Sequence, residues 1–500
     1  MDIRKTDLLR DRKSALDMGP DEFKSAGNLL VDMVSDLIGS FQTRKITNHL
    51  KPAETRAILG EGKLPVEGSN PHEILQDIGP KLIENSLFNS HPRFWGYITS
   101  SAAPIGILGD FLASAINANV GAYALSPMAT EIEKQVIRWL AEFIGYPETC
   151  EGVIVSGGNM ANFVGFLAAR KAMADWDVRN KGLNGKSMVL YCAKGTHTWV
   201  EKAADLFGLG TEAIRWINPD ADGRMDIGIL AESIKTDKDS GHFPFLVIGT
   251  AGSVSTGVVD PLEEISLVCK EHGLWFHIDG AYGALAAGLP ENSEIFKGTL
   301  QADSIALDPH KWLYSPLEAG CVLVKKTDAL KATFSFLPEY YNFVENQDDH
   351  QTNFYEYGMQ NSRGFKALKV WLGLKHAGKN GYVQSIRQDI ILARTLYDLM
   401  DAHPHFQVLT CHLSITTFRF VPEVDKSGGT TEEEYLNELN KKLLEKLQMG
   451  GTVYCSNAII ANKYCLRVCV VNFRTQLSDL EVLIETASAT GIEIHKELSA

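Results

Sequence analysis

The sequence contains no stretch of about 18 uncharged apolar residues, so no membrane-spanning helix is predicted. The nearest candidate, Pro104 to Leu125, is interrupted by Asp110, Asn117 and Asn119. Met1 to Lys13 is charged throughout and lacks the apolar centre of a signal peptide, so a cytoplasmic chain is expected. None of the eight cysteines forms a C-x-x-C pair. Cys465 and Cys469 are four residues apart without clustered histidines, which argues against zinc or any other metal and for reduced, buried thiols. A basic surplus is also missing. With 48 Lys and Arg against 62 Asp and Glu, the net charge is −14, which argues against nucleic acid and anionic membranes as partners. Internal repeats and low-complexity tracts are absent.

What remains is ordinary globular composition, 45% hydrophobic and 22% charged, in a chain of 500 residues, enough for two to four domains or one large domain with appendages. Leu29, Leu30, Met33, Val34, Leu37, Ile38 and Phe41 recur at spacings of three and four, predicting an amphipathic helix over 21–41 whose stripe must be buried somewhere, on a partner subunit for instance. A polar link, Lys51 to Pro71, follows. His91-Pro92-Arg93-Phe94-Trp95-Gly96-Tyr97 then packs three aromatics into seven residues. Phe94 and Trp95 read as core anchors, and Tyr97, with its polar tip, as a site residue.

From about 130 to 325 short apolar runs alternate with helical patterns. The strands expected are Gly152–Val155, Ser187–Cys192, Phe245–Gly249, Trp275–Ile278, Ser304–Leu307 and Gly320–Val324, with helices over Glu131–Ile144 and Met160–Met173. Such alternation predicts an α/β domain with a mostly parallel sheet and helices on both faces. A helix over Gly364–His376 leads out of it. Strands near His412–Val421 and Tyr464–Val470 and a charged helix over Thr431–Gln448 suggest a small C-terminal α+β domain. The expected division is 1–100, an N-terminal helical segment; 101–375, the large domain; and 376–500, the small one.

One lysine stands out. Ser304 to Leu313 runs as an apolar strand into Asp308-Pro309, then presents Lys311 between His310 and Trp312. Desolvation favours a neutral amine, and a neutral amine attacks carbonyl carbon, the requirement of a Schiff-base lysine. A stem merely covering aromatic surface is the plain alternative. Ser156-Gly157-Gly158-Asn159, between a strand and a helix, has the form of an anion cup, although a simple tight turn explains it equally well. Asp279 closes the run Leu274–Ile278, where a buried carboxylate needs a cationic partner such as a protonated pyridine nitrogen; a helix cap is the alternative. His197 and Thr250 also follow expected strands. Each is unremarkable alone, but all of these residues fall at C-terminal strand ends, where open α/β sheets bind ligands.

In this combination the chain resembles the group II pyridoxal phosphate (PLP)-dependent decarboxylases, which include the aromatic-L-amino-acid and glutamate decarboxylases. The resemblance runs from about residue 20 to 475. It is carried by Ser304-Ile305-x5-Lys311-Trp312-Leu313, by His277-Ile278-Asp279-Gly280-Ala281-Tyr282, and by Ser126-Pro127 with Thr130-Glu131 and Glu133. It implies a fold-type I PLP enzyme of amino-acid metabolism, and a homodimer with shared active sites and a swapped N-terminal segment. Lys311 would hold PLP, Asp279 would pair with its ring nitrogen, His197 would stack on the ring, and Thr250 and Ala281 would flank it. Gly157, Gly158 and Asn159 would bind its phosphate, with Asp308 and His310 nearby. Tyr97 and Ser100 would contact substrate. The reaction implied is decarboxylation of an L-amino acid, aromatic in the leading reading, to an amine and CO2. Glutamate decarboxylation and aldehyde synthesis are the alternatives, followed by aminotransferase or carbon–sulfur lyase chemistry.

Three departures from the family pattern bear on substrate and product. At the position of the tyrosine that returns a proton to Cα, an ungapped comparison places Phe354, with Tyr355 beside it; phenylalanine there is associated with oxygen-consuming aldehyde synthesis, and Tyr355 is taken as the donor. Gly121 and Ala122 replace a bulky pocket residue, which implies a roomier pocket. Ser362-Arg363-Gly364-Phe365 replaces a double arginine, and its serine leans towards tyrosine or DOPA as substrate.

Overall fold

The structure, a computed structural model, describes residues 14–60, 62–336, 351–422 and 432–499. Its central sheet has seven strands: β1 (Glu151–Val155), β2 (Met188–Ala193), β3 (Ile214–Ile217), β4 (Phe243–Thr250), β5 (Trp275–Asp279), β6 (Ser304–Leu307) and β7 (Gly320–Val324). They lie in the order β1-β7-β6-β5-β4-β2-β3. Only β7 runs against the others, antiparallel to both β1 and β6. Helices on both faces cover the sheet, among them Gly158–Met173 and Leu262–His272. Strands covered on both faces need apolar side chains on both, which is why β2, β4 and β6 read as unbroken apolar runs rather than alternating ones.

The helix Ala367–Asp401, interrupted at Gly378 (φ 67°), leads from this sheet to a second one. That sheet is antiparallel, β10-β11-β9-β8, built from β8 (Phe406–His412), β9 (Ile415–Phe420), β10 (Ser456–Ile460) and β11 (Lys463–Cys469). Helices Glu432–Gly450 and Leu477–Ser499 pack on it around its own apolar core, which takes in Trp95. Phe94 and Trp95 are both buried, and the Trp95 indole donates to Thr475 Oγ1 at 3.1 Å.

Several expectations need correction. β3 was not foreseen: four residues at a sheet edge, with Trp216 partly exposed, carry too little pattern. β8 and β10 were missed because Phe406–His412 and Ser456–Ile460 mix polar and apolar residues without the strict alternation that marks a strand in sequence. The Lys51–Pro71 link contains a helix, Pro52–Leu59, ended by Gly60 in the left-handed region. Thr431, expected to begin a helix, lies outside the described residues. The Pro104–Leu125 candidate is an α-helix over Pro104–Ile116 with a single 3-10 turn at Tyr123–Leu125, and no helix among the described residues is long and apolar enough to cross a membrane. The amphipathic helix spans Pro20–Ser40 and leaves Phe23, Leu30 and Val31 exposed. With Ile74, Leu108 and Phe111 they line an apolar groove.

Candidate active site

Because β1, β2, β4, β5 and β6 are parallel, their C-terminal ends share one edge of the sheet, and the turns that follow them surround a cavity of about 300 Å³. Ser156 to Asn159, His197, Thr250, Asp279, Ala281, Asp308, His310 and Lys311 all line it. Ten positions predicted to hold cofactor thus converge.

The glycine turn opens the helix Gly158–Met173, whose first N–H groups have no partner within the helix and carry the positive end of its dipole. Side chains would not fit there. A Cβ on Gly158 would lie 2.8 Å from Asp308 Oδ2 and 3.0 Å from Ala281 Cβ.

Across the cavity, Asp279 ends β5 beside Thr250 on β4 and Ala306 on β6. Its Oδ2 accepts the Trp199 indole N–H at 2.7 Å, and its Oδ1 has a long contact, 3.3 Å, from the Ala281 N–H. One carboxylate oxygen is therefore fixed while the other keeps acceptor capacity. Behind it, His277 is fully buried between Ser304 Oγ and Asn162 Oδ1, each at 2.8 Å. Burial pushes its pKa down to about 4, so this ring is neutral. Asp260 Oδ2 accepts the Thr250 N–H at 2.8 Å and fixes that strand end. His197 stands at the open side of the cavity; partial burial lowers its pKa, against the raising influence of Asp279.

Lys311 sits on a single helical turn, Pro309–Trp312. Its Nζ is 3.2 Å from Asp308 Oδ2, so a buried carboxylate, not an apolar wall, faces the amine. The turn is held from behind. The Trp312 indole and the Tyr314 hydroxyl donate to Asp389 Oδ2 at 2.9 and 2.7 Å, and the Trp312 ring stacks 4.9 Å from Tyr282. Burial pushes the Asp389 carboxyl up to about 7, against those two hydrogen bonds.

Other predicted residues lie elsewhere. Tyr97 is exposed, in the left-handed region (φ 56°), and does not line the cavity; its neighbour Ile98 does. Ser100 also stays outside it, donating to the His310 carbonyl at 2.7 Å. Tyr355 is buried, with its N–H on the Gly121 carbonyl at 3.0 Å, and is not a wall of the cavity. Gly121 does not widen the pocket: a Cβ there would fall 2.1 Å from the Asn361 carbonyl oxygen, so glycine answers a close backbone approach. Ser362 is exposed and also outside the cavity. Trp199 and Asp389 were missed. Trp199 was within reach, two residues after His197, whereas Asp389 has no local signal.

The donor set suits a flat pyridine bearing an anion: a glycine turn without room for side chains, a carboxylate with acceptor capacity to spare opposite it, and an amine between them. Asp308 Oδ1, buried without a partner in the chain, marks a polar place still to be filled. Fold and site together define a pyridoxal phosphate enzyme of the fold-type I class.

Comparison with known proteins narrows the class. The model of the pyridoxal-dependent decarboxylase conserved domain matches residues 52–421. An aromatic-L-amino-acid decarboxylase from Bacillus atrophaeus is 32% identical over 480 residues, 96% of this chain and 97% of the relative. A phenylacetaldehyde synthase from a Rosa hybrid cultivar is 28% identical over 462 residues, 91% of this chain and 90% of its own. The crystal structure of Oryza sativa TDC with PLP and tryptamine superposes with a TM-score of 0.89 at 26% identity, covering 97% of this chain and all of that one. The chain belongs to the pyridoxal-dependent decarboxylase family and is a PLP-dependent carboxy-lyase.

Proposed function

We propose that the chain decarboxylates an aromatic L-amino acid to the arylalkylamine and CO2. The observation that carries this reading is the character of the cavity wall. Beyond the groups assigned to the cofactor, the wall includes Ile98, Val254 and Tyr282, and among the described residues it includes no arginine. An acidic side chain would need a cation there. The aromatic decarboxylase from Bacillus atrophaeus supports the same choice.

When bound, pyridoxal phosphate supplies an electron sink for the pair left at Cα by departing CO2. Lys311 Nζ holds the cofactor and is the amine that substrate displaces. The Asp279 carboxylate keeps the ring nitrogen protonated, and the Trp199 indole keeps that carboxylate in place. His197, which lines the cavity, would cover the open face of the ring and exclude water. The free N–H groups of the glycine turn hold the phosphate end. Return of a proton to Cα is assigned to the Tyr355 hydroxyl. Because Tyr355 does not line its own chain's cavity, this assignment goes with a homodimer that shares its sites, joined through the apolar groove beside Pro20–Ser40.

A second reading, aldehyde synthesis, is favoured by one residue: Phe354, buried beneath the Arg363 guanidinium, stands where the family tyrosine is expected. That reaction consumes O2 and water and releases aldehyde, CO2, ammonia and hydrogen peroxide. Incubating the PLP-loaded protein separately with tyrosine, DOPA, phenylalanine, tryptophan and glutamate distinguishes the readings. Amine with CO2 from an aromatic substrate is expected. Aldehyde with peroxide would transfer the proposal to the Phe354 reading, and turnover of glutamate alone would overturn the aromatic assignment.

A further inference from the structure

The glycine turn and the lysine turn meet at a carboxylate. Asp308 is 1% exposed and lines the cavity, close enough to Gly158 to exclude a Cβ from it. Its Oδ2 lies 3.2 Å from Lys311 Nζ and 3.6 Å from His310 Nε2, while its Oδ1 has no hydrogen-bond partner. An ionised carboxylate accepts and cannot donate. The cup that receives an anion therefore already holds a carboxyl group, paired through one oxygen with Lys311 and with the other oxygen waiting for a donor.

We propose that this cup binds the cofactor's phosphate ester as the monoanion, with its remaining O–H donating to Asp308 Oδ1. This rests on the cofactor assignment above. A phosphate ester loses its second proton near pH 6, and a like charge a few ångströms away in a buried site favours keeping that proton. Lys311 faces the other oxygen, Oδ2, and so does not serve Oδ1. His310 is not the proton carrier either. Its Nδ1 accepts the Ala319 N–H at 3.1 Å, and burial lowers its pKa. The other titratable groups that feel Asp308 are His197, whose pKa burial lowers, and the Cys321 thiol on β7, whose pKa burial raises. Lys369, which acts on His310 from further away, is itself paired with Asp110 at 3.1 Å.

Phosphorus-31 NMR of the holoenzyme, from about pH 6 to about pH 8 across the ester's own ionisation, reads the proton directly. The expected resonance is that of a monoester monoanion, unmoved by pH, and Asp308→Asn shifts it to the dianion position. A wild-type resonance at the dianion position overturns the proposal whatever the variant does, so the result stands even where the variant loses cofactor. A chain that shows no visible cofactor absorbance overturns the cofactor assignment as well, which separates that failure from this one.

Discussion

Asp279 closes a strand hydrogen-bonded to a neighbour on each side, whereas Phe354 and Tyr355 lie in a three-residue helical turn held by individual contacts to Gly121, Tyr123, Ser335 and Arg363. Both places are buried, and both were expected to carry chemistry. Only the first lines the cavity of its own chain. A strand end is positioned by the whole sheet, so residues there share an edge without long-range coincidence. The segment 353–363 is positioned by separate contacts: Arg363 donates to Glu133 Oε1 and to the Ile154 carbonyl, each at 2.5 Å, and to the Val120 carbonyl at 2.9 Å, Asn353 Oδ1 accepts the Tyr123 N–H, Glu356 Oε1 accepts the Ser335 hydroxyl, and backbone groups of Tyr355 and Arg363 reach the 119–121 stretch. The cofactor side is thus built by topology and the other side by individual side chains.

The largest effect expected from breaking this contrast is at Lys311. Lys311→Ala should lose the visible cofactor band and about a thousandfold or more of turnover, equivalent to about 4 kcal/mol of barrier. The thermal unfolding temperature should fall as well, because Asp308, 1% exposed, loses its 3.2 Å partner and the fold loses the stabilisation that a bound cofactor supplies. Retained turnover would refute the site as drawn.

Arg363→Ala attacks the other region. It leaves Glu133, fully buried, without its counter-charge; Glu133 Oε1 would keep only the Ile154 N–H at 3.0 Å, and Oε2 has no partner to begin with. Removing one member of a buried pair costs about 3–5 kcal/mol, read as a lower denaturant midpoint. The folded fraction should keep an unaltered cofactor band. If the band changes as well, the two regions are coupled more closely than their separate anchoring implies.

The same contrast explains what could be read from residues alone. Lys311, Asp279, His197, Thr250 and the glycine turn were legible because each follows an apolar run, and parallel strands bring such positions together. Tyr97 and Ser100 do not line the cavity of their own chain: Tyr97 lies in a turn with left-handed backbone, where sequence does not say which way a side chain points. Gly121 was misread for a related reason: its glycine answers the Asn361 carbonyl, 240 residues away by subtraction of their positions, and no local pattern reports that contact. Asp389 was invisible likewise, since Trp312 and Tyr314, its hydrogen-bond partners, are 77 and 75 residues distant. β3 was missed as a short strand, and β8 and β10 as strands without strict alternation.

The smallest effect is expected at Trp199, and it tests whether topology alone holds the cofactor side. Trp199→Phe keeps an aromatic ring in a site only 1% exposed but removes the 2.7 Å donor to Asp279 Oδ2. Asp279 then retains the 3.3 Å contact from the Ala281 N–H on its other oxygen. A hydrogen bond to a charged group contributes about 1.5–3 kcal/mol. Part of that is recovered when a freed carboxylate turns towards the ring nitrogen or water. Cofactor affinity, titrated by absorbance, should therefore weaken about tenfold, or about 1.4 kcal/mol. An unchanged affinity with only a lower unfolding temperature would mean that strand geometry fixes Asp279 without help and the indole is simply core. A loss much above tenfold would mean the reverse: even at a strand end, a side chain found two residues from the expected histidine sets the aim of the carboxylate.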